Sequence, residues 1–97
     1  MSKFDQAKMV MQLRKVQKQL GKTIIEVEAG DGLVQVSVTA DQKIKNVSID
    51  AEKIDIEAID ELEDAVKEAF REAMSKSQAE AAEMMKPYMG ALGDLGL

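Results

Sequence analysis

The chain has 97 residues, 13 basic and 18 acidic side chains, a net charge of −5, and an apolar content of 45%. That size allows one domain, or less than one if the chain must pair to complete its core, and the apolar content is enough to fold. With no Cys and no His, the sequence excludes disulfides, thiolate metal sites, thiol redox chemistry and the usual proton shuttle. The N-terminus lacks the basic-then-apolar layout of a signal peptide, and no run of about 18 apolar residues is present to span a bilayer. A soluble intracellular protein is the expectation.

Net acidity argues against nucleic acid until the charges are placed along the chain. Residues 1–22 hold Lys3, Lys8, Arg14, Lys15, Lys18 and Lys22 against Asp5 alone, a segment charge of +5. The other 75 residues hold 7 basic and 17 acidic groups, a charge of −10. An asymmetry of this size points to a localised binding surface.

The same segment reads as a helix. Ser2 suits the capping position, Asp5 three residues on resembles its capping-box partner, and Gly21 suits a left-handed closing position. At about 100° per residue, Met9, Leu13, Val16 and Leu20 fall within roughly 60° of one another, a seam suited to packing on another helix or, as an ordinary apolar face, onto the sheet. The six basic residues occupy an arc of roughly 140° on the other side, interrupted near its N-terminal end by Phe4, Ala7 and Met11. An ordinary solvated face carries lysines too, but it intersperses both signs. This arc contains no acidic residue.

Three short alternating runs follow. Ile25, Val27 and Ala29 share one face, as do Val34, Val36 and Val38, with Gly30-Asp31-Gly32 between them as a hairpin turn. That turn joins two strands, opens no helix and lacks the spacing of a phosphate-binding loop. In a third run, Lys43 to Asp50, Val47 and Ile49 face one way and Ile44 the other, so either a bulge near Lys45-Asn46 or a strand that starts late is expected. The sequence thus predicts a three-stranded antiparallel meander. Glu26 and Glu28 fall on its solvent face, with no nucleophile or pocket residue that would make them an acid/base pair.

After a connector over 51–54 that allows one helical turn, Asp55 is placed to cap a second helix ending at Pro87. Ile59, Leu62, Val66, Ala69, Phe70 and Ala73 form its apolar stripe, which weakens to Ser77, Ala81 and Met84. About 30 residues of helix reach about 45 Å, well past a sheet of seven-residue strands. Its second half must project into solvent or pack on another subunit. Glu61, Glu63, Asp64, Glu68 and Glu72 line its other faces with Lys67, Arg71 and Lys76 as partial partners, an exposed charged surface rather than a metal site. The predicted domain is 1–87, and residues 88–97, with glycines at 90, 93 and 96, form a flexible Gly/Leu/Met tail. The fold class is α+β in the order αβββα, and a sheet this small beside an overrunning helix predicts a homodimer.

The sequence resembles the YbaB/EbfC family of bacterial nucleoid-associated DNA-binding proteins over nearly its whole length. The likeness is carried by the Gln/Lys/Met-rich first helix from Gln6-Ala7 to Gln17-Lys18-Gln19-Leu20, and by Glu28-Ala29-Gly30-Asp31-Gly32-Leu33-Val34-Gln35-Val36. Lys45-Asn46-Val47-Ser48-Ile49-Asp50 and the Leu62-Glu63-Asp64-Ala65-Val66 to Ala69-Phe70 stretch extend it. Where the family commonly has Asn-Gly at the second turn, this chain has Ala40-Asp41-Gln42, which allows a looser loop. The first turn also departs, with Asp31 where the family often has a small residue. The resemblance implies a homodimer with protruding helices, double-stranded DNA as partner with little or modest sequence preference, and a cytoplasmic, nucleoid location.

On this reading Lys8, Arg14, Lys15, Lys18 and Lys22 contact DNA phosphates, with no cofactor, metal, membrane or small-molecule substrate. No aromatic-rich sheet surface is available for base stacking, so single strands are not the expected ligand. The competing reading is a dimeric protein–protein interaction module that docks through its Met-bearing helices and apolar tail. An enzyme is not expected, because no nucleophile–base pair can be assembled from these residues.

Overall fold

A computed structural model describes the backbone of residues 2–94 and the side chains of residues 2–89. Helix α1 spans Lys3–Lys22, strands β1, β2 and β3 span Ile24–Ala29, Val34–Thr39 and Ile44–Ile49, and helix α2 spans Ile59–Asp94. The strands form one antiparallel sheet in the order β1-β2-β3. The αβββα order is the one predicted.

Helix α1 begins as its sequence requires. The Ser2 hydroxyl accepts the Asp5 N–H at 3.2 Å and donates to the Asp5 carboxylate at 3.0 Å, which satisfies one of the helix's orphan donors. Its end differs from expectation. Gly21 lies inside the helix, and Thr23 closes it, its N–H bonding the Leu20 carbonyl and its hydroxyl the Gln19 carbonyl. The glycine serves proximity instead: a Cβ added there would lie 3.3 Å from Asp41 Oδ2, so the helix end passes close to the β2–β3 turn.

The sheet is organised in three cross-strand rows. Ile25, Val38 and Ile44 make one, Val27, Val36 and Val47 the next, and Ala29, Val34 and Ile49 the third. The pairing steps from Ser37↔Asn46 to Val38↔Ile44 and skips Lys45. This is the expected bulge, and it returns Ile44 to the face of Val47 and Ile49. Gly30, Asp31 and Gly32 all have positive φ, the conformation for which glycine and, less readily, Asp are suited. Lys53, in a single 3-10 turn over Ala51–Lys53, donates to the Asp31 carbonyl at 2.7 Å and pins that turn. The second turn is the looser one anticipated. Three residues, 40–42, separate the Thr39–Lys43 pair, and Gln42 takes the left-handed position at φ 67°.

Helix α2 lies on the sheet through small residues. Ala65, Ala69, Ala73 and Ser77 recur every fourth position and are buried, and the Ser77 hydroxyl donates to the Thr39 carbonyl at 2.8 Å. The cluster of Val27, Ala29, Leu33, Val34, Val36 and Val38 with the three alanines is the core. Asp55 accepts the Glu57 N–H at 2.9 Å and shapes a turn ahead of the helix, so it is not the helix cap. Nor does Pro87 end α2, which continues to Asp94. Proline removes one N–H, but its fixed φ is close to the helical value, and at an exposed position the helix continues around the missing bond. Of the segment 88–97 expected to be a flexible tail, residues 95–97 lie outside the described residues.

Beyond Ser77 about 17 residues of α2, roughly 25 Å, leave the sheet. Helix α1 packs against α2, and Val16 is buried, with Met9, Leu13 and Leu20 half-buried on one side and Ala81, Met84, Met85 and Tyr88 half-buried on the other. The predicted seam is a helix–helix contact. The resulting body measures 65 × 20 × 14 Å with a radius of gyration of 18.7 Å, against about 12.5 Å for a compact chain of this length.

Candidate nucleic-acid interface

The seam fixes how α1 presents its charges. Burying Val16 against the body turns the opposite arc to solvent, and Lys3, Lys8, Arg14, Lys15, Lys18 and Lys22 are all exposed. Phe4 and Met11, at 79% and 70% exposure, share that arc toward the free end of the helix. From Arg14 to Lys22, nearest the sheet, four cations follow one another within nine residues and no acidic residue intervenes.

Pairing distinguishes this arc from α2, where three of four cations are paired along the helix. Among the described residues the ion pairs are Lys76–Glu72 and Lys86–Glu83 at 2.9 Å, Lys43–Asp41 at 3.7 Å and Lys67–Asp64 at 3.9 Å. None involves α1. Cations without protein partners keep their full charge for an external anion, and arginine and lysine on a rigid helix are the groups that bind phosphate.

The arc does not stop at α1. Arg14, Gln17, Lys18 and Leu20 line an open cleft whose other wall is Asp41 and Lys43 of the β2–β3 turn. Asp41 accepts a hydrogen bond from the Thr39 hydroxyl. That bond, with smaller help from Lys43, holds its carboxyl below the usual carboxylate range. Sequence reading found the helical cations by their spacing. Lys43 was not found, because only the chain's return through two strands brings it to Lys18.

A second feature lies along β3 and α2. The rows of the sheet lose burial on reaching β3: Val34 and Val36 are at 0% and 1%, whereas Ile44, Val47 and Ile49 are 61%, 43% and 43% exposed. The flank of α2 beside them carries half-buried Leu62, Val66 and Phe70 and exposed Met74. An apolar trough therefore runs along β3 and α2, with Ile44, Phe70 and Met74 at one end and Ile49, Leu62 and Val66 at the other. Glu26 and Glu28 stand on the opposite, polar face of the sheet, Glu28 bonded to Gln35 at 2.9 Å. They are strand residues facing solvent. Among the described residues no helix is long and apolar enough to cross a membrane.

Comparison with known proteins identifies the family and the fold. The family model for the YbaB/EbfC DNA-binding family matches residues 1–92. A nucleoid-associated protein of Dictyoglomus turgidum is 35% identical over 80% of this chain and 75% of its own length. One from Corynebacterium jeikeium is 35% identical over 91% of this chain and 85% of its own. The fold is shared with an uncharacterized Helicobacter pylori protein whose crystal structure superposes with a TM-score of 0.76, at 14% identity, over 86% of this chain and 87% of that one. The chain belongs to the YbaB/EbfC DNA-binding family, among whose members are nucleoid-associated proteins.

Proposed function

We propose that this protein is a homodimer that holds duplex DNA by its phosphates, through Lys8, Arg14, Lys15, Lys18 and Lys22 of each α1, and so takes part in nucleoid organisation and gene regulation. The observation that carries the reading is the exposed, single-sign arc of α1 without ion-pair partners among the described residues. Charge on one helical arc, without a fixed polar constellation aimed at base edges, positions a duplex rather than reading its sequence. The acidic remainder of the chain repels the duplex and confines contact to that arc.

The dimer is supported by the apolar trough. Ile44, Val47 and Ile49 continue rows that are fully buried one strand away, and a second copy seated on them would finish the core. Accessible area points the same way: 7105 Å², against about 5,500 Å² for a compact monomer of 10.6 kDa. Replacing both Ile44 and Val47 by Glu is expected to leave monomers by light scattering at micromolar concentration. A folded wild-type monomer under the same conditions contradicts the dimer.

Gel shift across a salt series tests the DNA contact. With three to four phosphate contacts per protomer, about seven per dimer, log affinity should fall against log salt with a slope near −6, from about −0.9 per phosphate. Random and natural duplexes should give nearly the same slope. Binding that ignores salt contradicts the phosphate reading and favours a protein-docking module.

A further inference from the structure

The cleft between α1 and the β2–β3 turn has a composition that the helix alone does not. Arg14 and Lys18 form one wall, Lys43 the other, Gln17 adds a neutral donor, and Leu20 lies between them. Three cations thus face one carboxylate, that of Asp41, which stands 3.7 Å from the Lys43 ammonium. The walls are brought together by backbone geometry. Gly21 lets the end of α1 approach Asp41, the Ala40 N–H bonds the Thr23 carbonyl at 3.0 Å, and the left-handed Gln42 closes the turn that presents Lys43. Lys43 points outward, its side chain 78% exposed, so its one ion pair is a weak claim on its charge.

We infer that this cleft is a seat for one DNA backbone phosphate, gripped from two sides by Arg14 and Lys18 and by Lys43, with Asp41 as an intramolecular competitor for Lys43. The inference rests on the DNA-binding reading and adds to it a contact outside α1. A phosphate held between a helix and a hairpin turn is fixed in direction as well as in distance, so the cleft sets the angle at which the duplex crosses α1. Asp41 lowers the affinity of the empty cleft for anions. It yields Lys43 when a phosphate, with more charge and more acceptor oxygens, takes its place.

The test uses the full chain and a fluorescent duplex in anisotropy titrations over a salt series, with three single substitutions. Lys43→Gln should weaken binding and make the salt slope shallower by up to about 2 for a dimer with two clefts, the full value of about 0.9 per phosphate applying only if Arg14 and Lys18 cannot hold the phosphate without it. Asp41→Asn, which keeps an acceptor for Thr39, should tighten binding by about threefold, the scale of an exposed charge pair. A purely structural role for the turn would make both variants weaker, and circular dichroism with thermal melting reports whether each is folded. Lys15→Gln lies on the far edge of the arc, outside the cleft, and tests the DNA reading by itself. If Lys15→Gln weakens binding while Lys43→Gln and Asp41→Asn behave as the parent, the cleft is not a phosphate seat and the DNA reading stands. If none of the three changes binding, both fall. Weaker binding by Asp41→Asn also overturns the inference, because the carboxylate would then position the site rather than compete for it.

Discussion

The two helices differ in where their charges go. Helix α2 pairs three of its four cations along itself, Lys67 with Asp64, Lys76 with Glu72 and Lys86 with Glu83, at the three- and four-residue spacings that support a helix. Helix α1 carries its six cations with none of those pairs. They differ equally in anchorage. Between Ala65 and Ser77, α2 has four buried residues pressed to the sheet, whereas Val16 is the one buried side chain of α1. One helix is built into the body, and the other is attached along a single seam that leaves its charges free. On the proposed reading, charge without ion-pair partners among the described residues, on a helix with minimal anchorage, is charge kept for DNA.

The contrast in anchorage can be broken first on α2. Ala69 has no exposed surface, and the helix sits close to the sheet because its contact residues are small. Ala69→Leu should cost about 3 kcal/mol through overpacking, read from urea denaturation at fixed protein concentration. A loss under about 1 kcal/mol would mean that helix and sheet are loosely packed. Next in size is Val16→Ala, expected to cost about 2 kcal/mol in the same measurement. Because Val16 faces the body and not the arc, DNA affinity per folded molecule should hold. The smallest effect is expected on α2's surface, where Lys76→Gln removes the pair with Glu72 and should cost only about 0.4 kcal/mol, with DNA binding unchanged.

Much of this was legible in the residues. Ile44 stands out of phase with Val47 and Ile49, and that alone located the bulge that the register displays at Lys45. The seam of Met9, Leu13, Val16 and Leu20 and the opposed basic arc follow from helical spacing, and both are found where that spacing puts them. Other features depended on neighbours distant in sequence. Gly21 reads as a helix terminator, but what it accommodates is Asp41, twenty residues away. Ser77 reads as a weakening of the apolar stripe until its hydroxyl meets the Thr39 carbonyl. Pro87 reads as a stop because it lacks an N–H and crowds the carbonyl four residues back, yet α2 runs through it to Asp94. The cleft wall at Lys43 exists only because two strands fold the turn back onto α1. Spacing along one element was readable, and convergence of separate elements was not.

The central claim is that the cations of α1, and not the charge of the chain as a whole, hold DNA. Two double variants that remove the same charge from the two helices test it directly: Lys15→Gln with Lys18→Gln on α1, and Lys67→Gln with Lys76→Gln on α2. Both leave the chain two charges more acidic, so any general repulsion of the duplex is equal in the pair. Anisotropy titrations across a salt series should give the α2 variant the slope of the parent. The α1 variant should bind every duplex more weakly, with a slope shallower by about 2 to 4, since Lys15 gives up its own phosphate while Arg14 and Lys43 still face the one Lys18 shares. Equal losses in the two variants, or an α1 variant that binds as the parent does, would contradict the account.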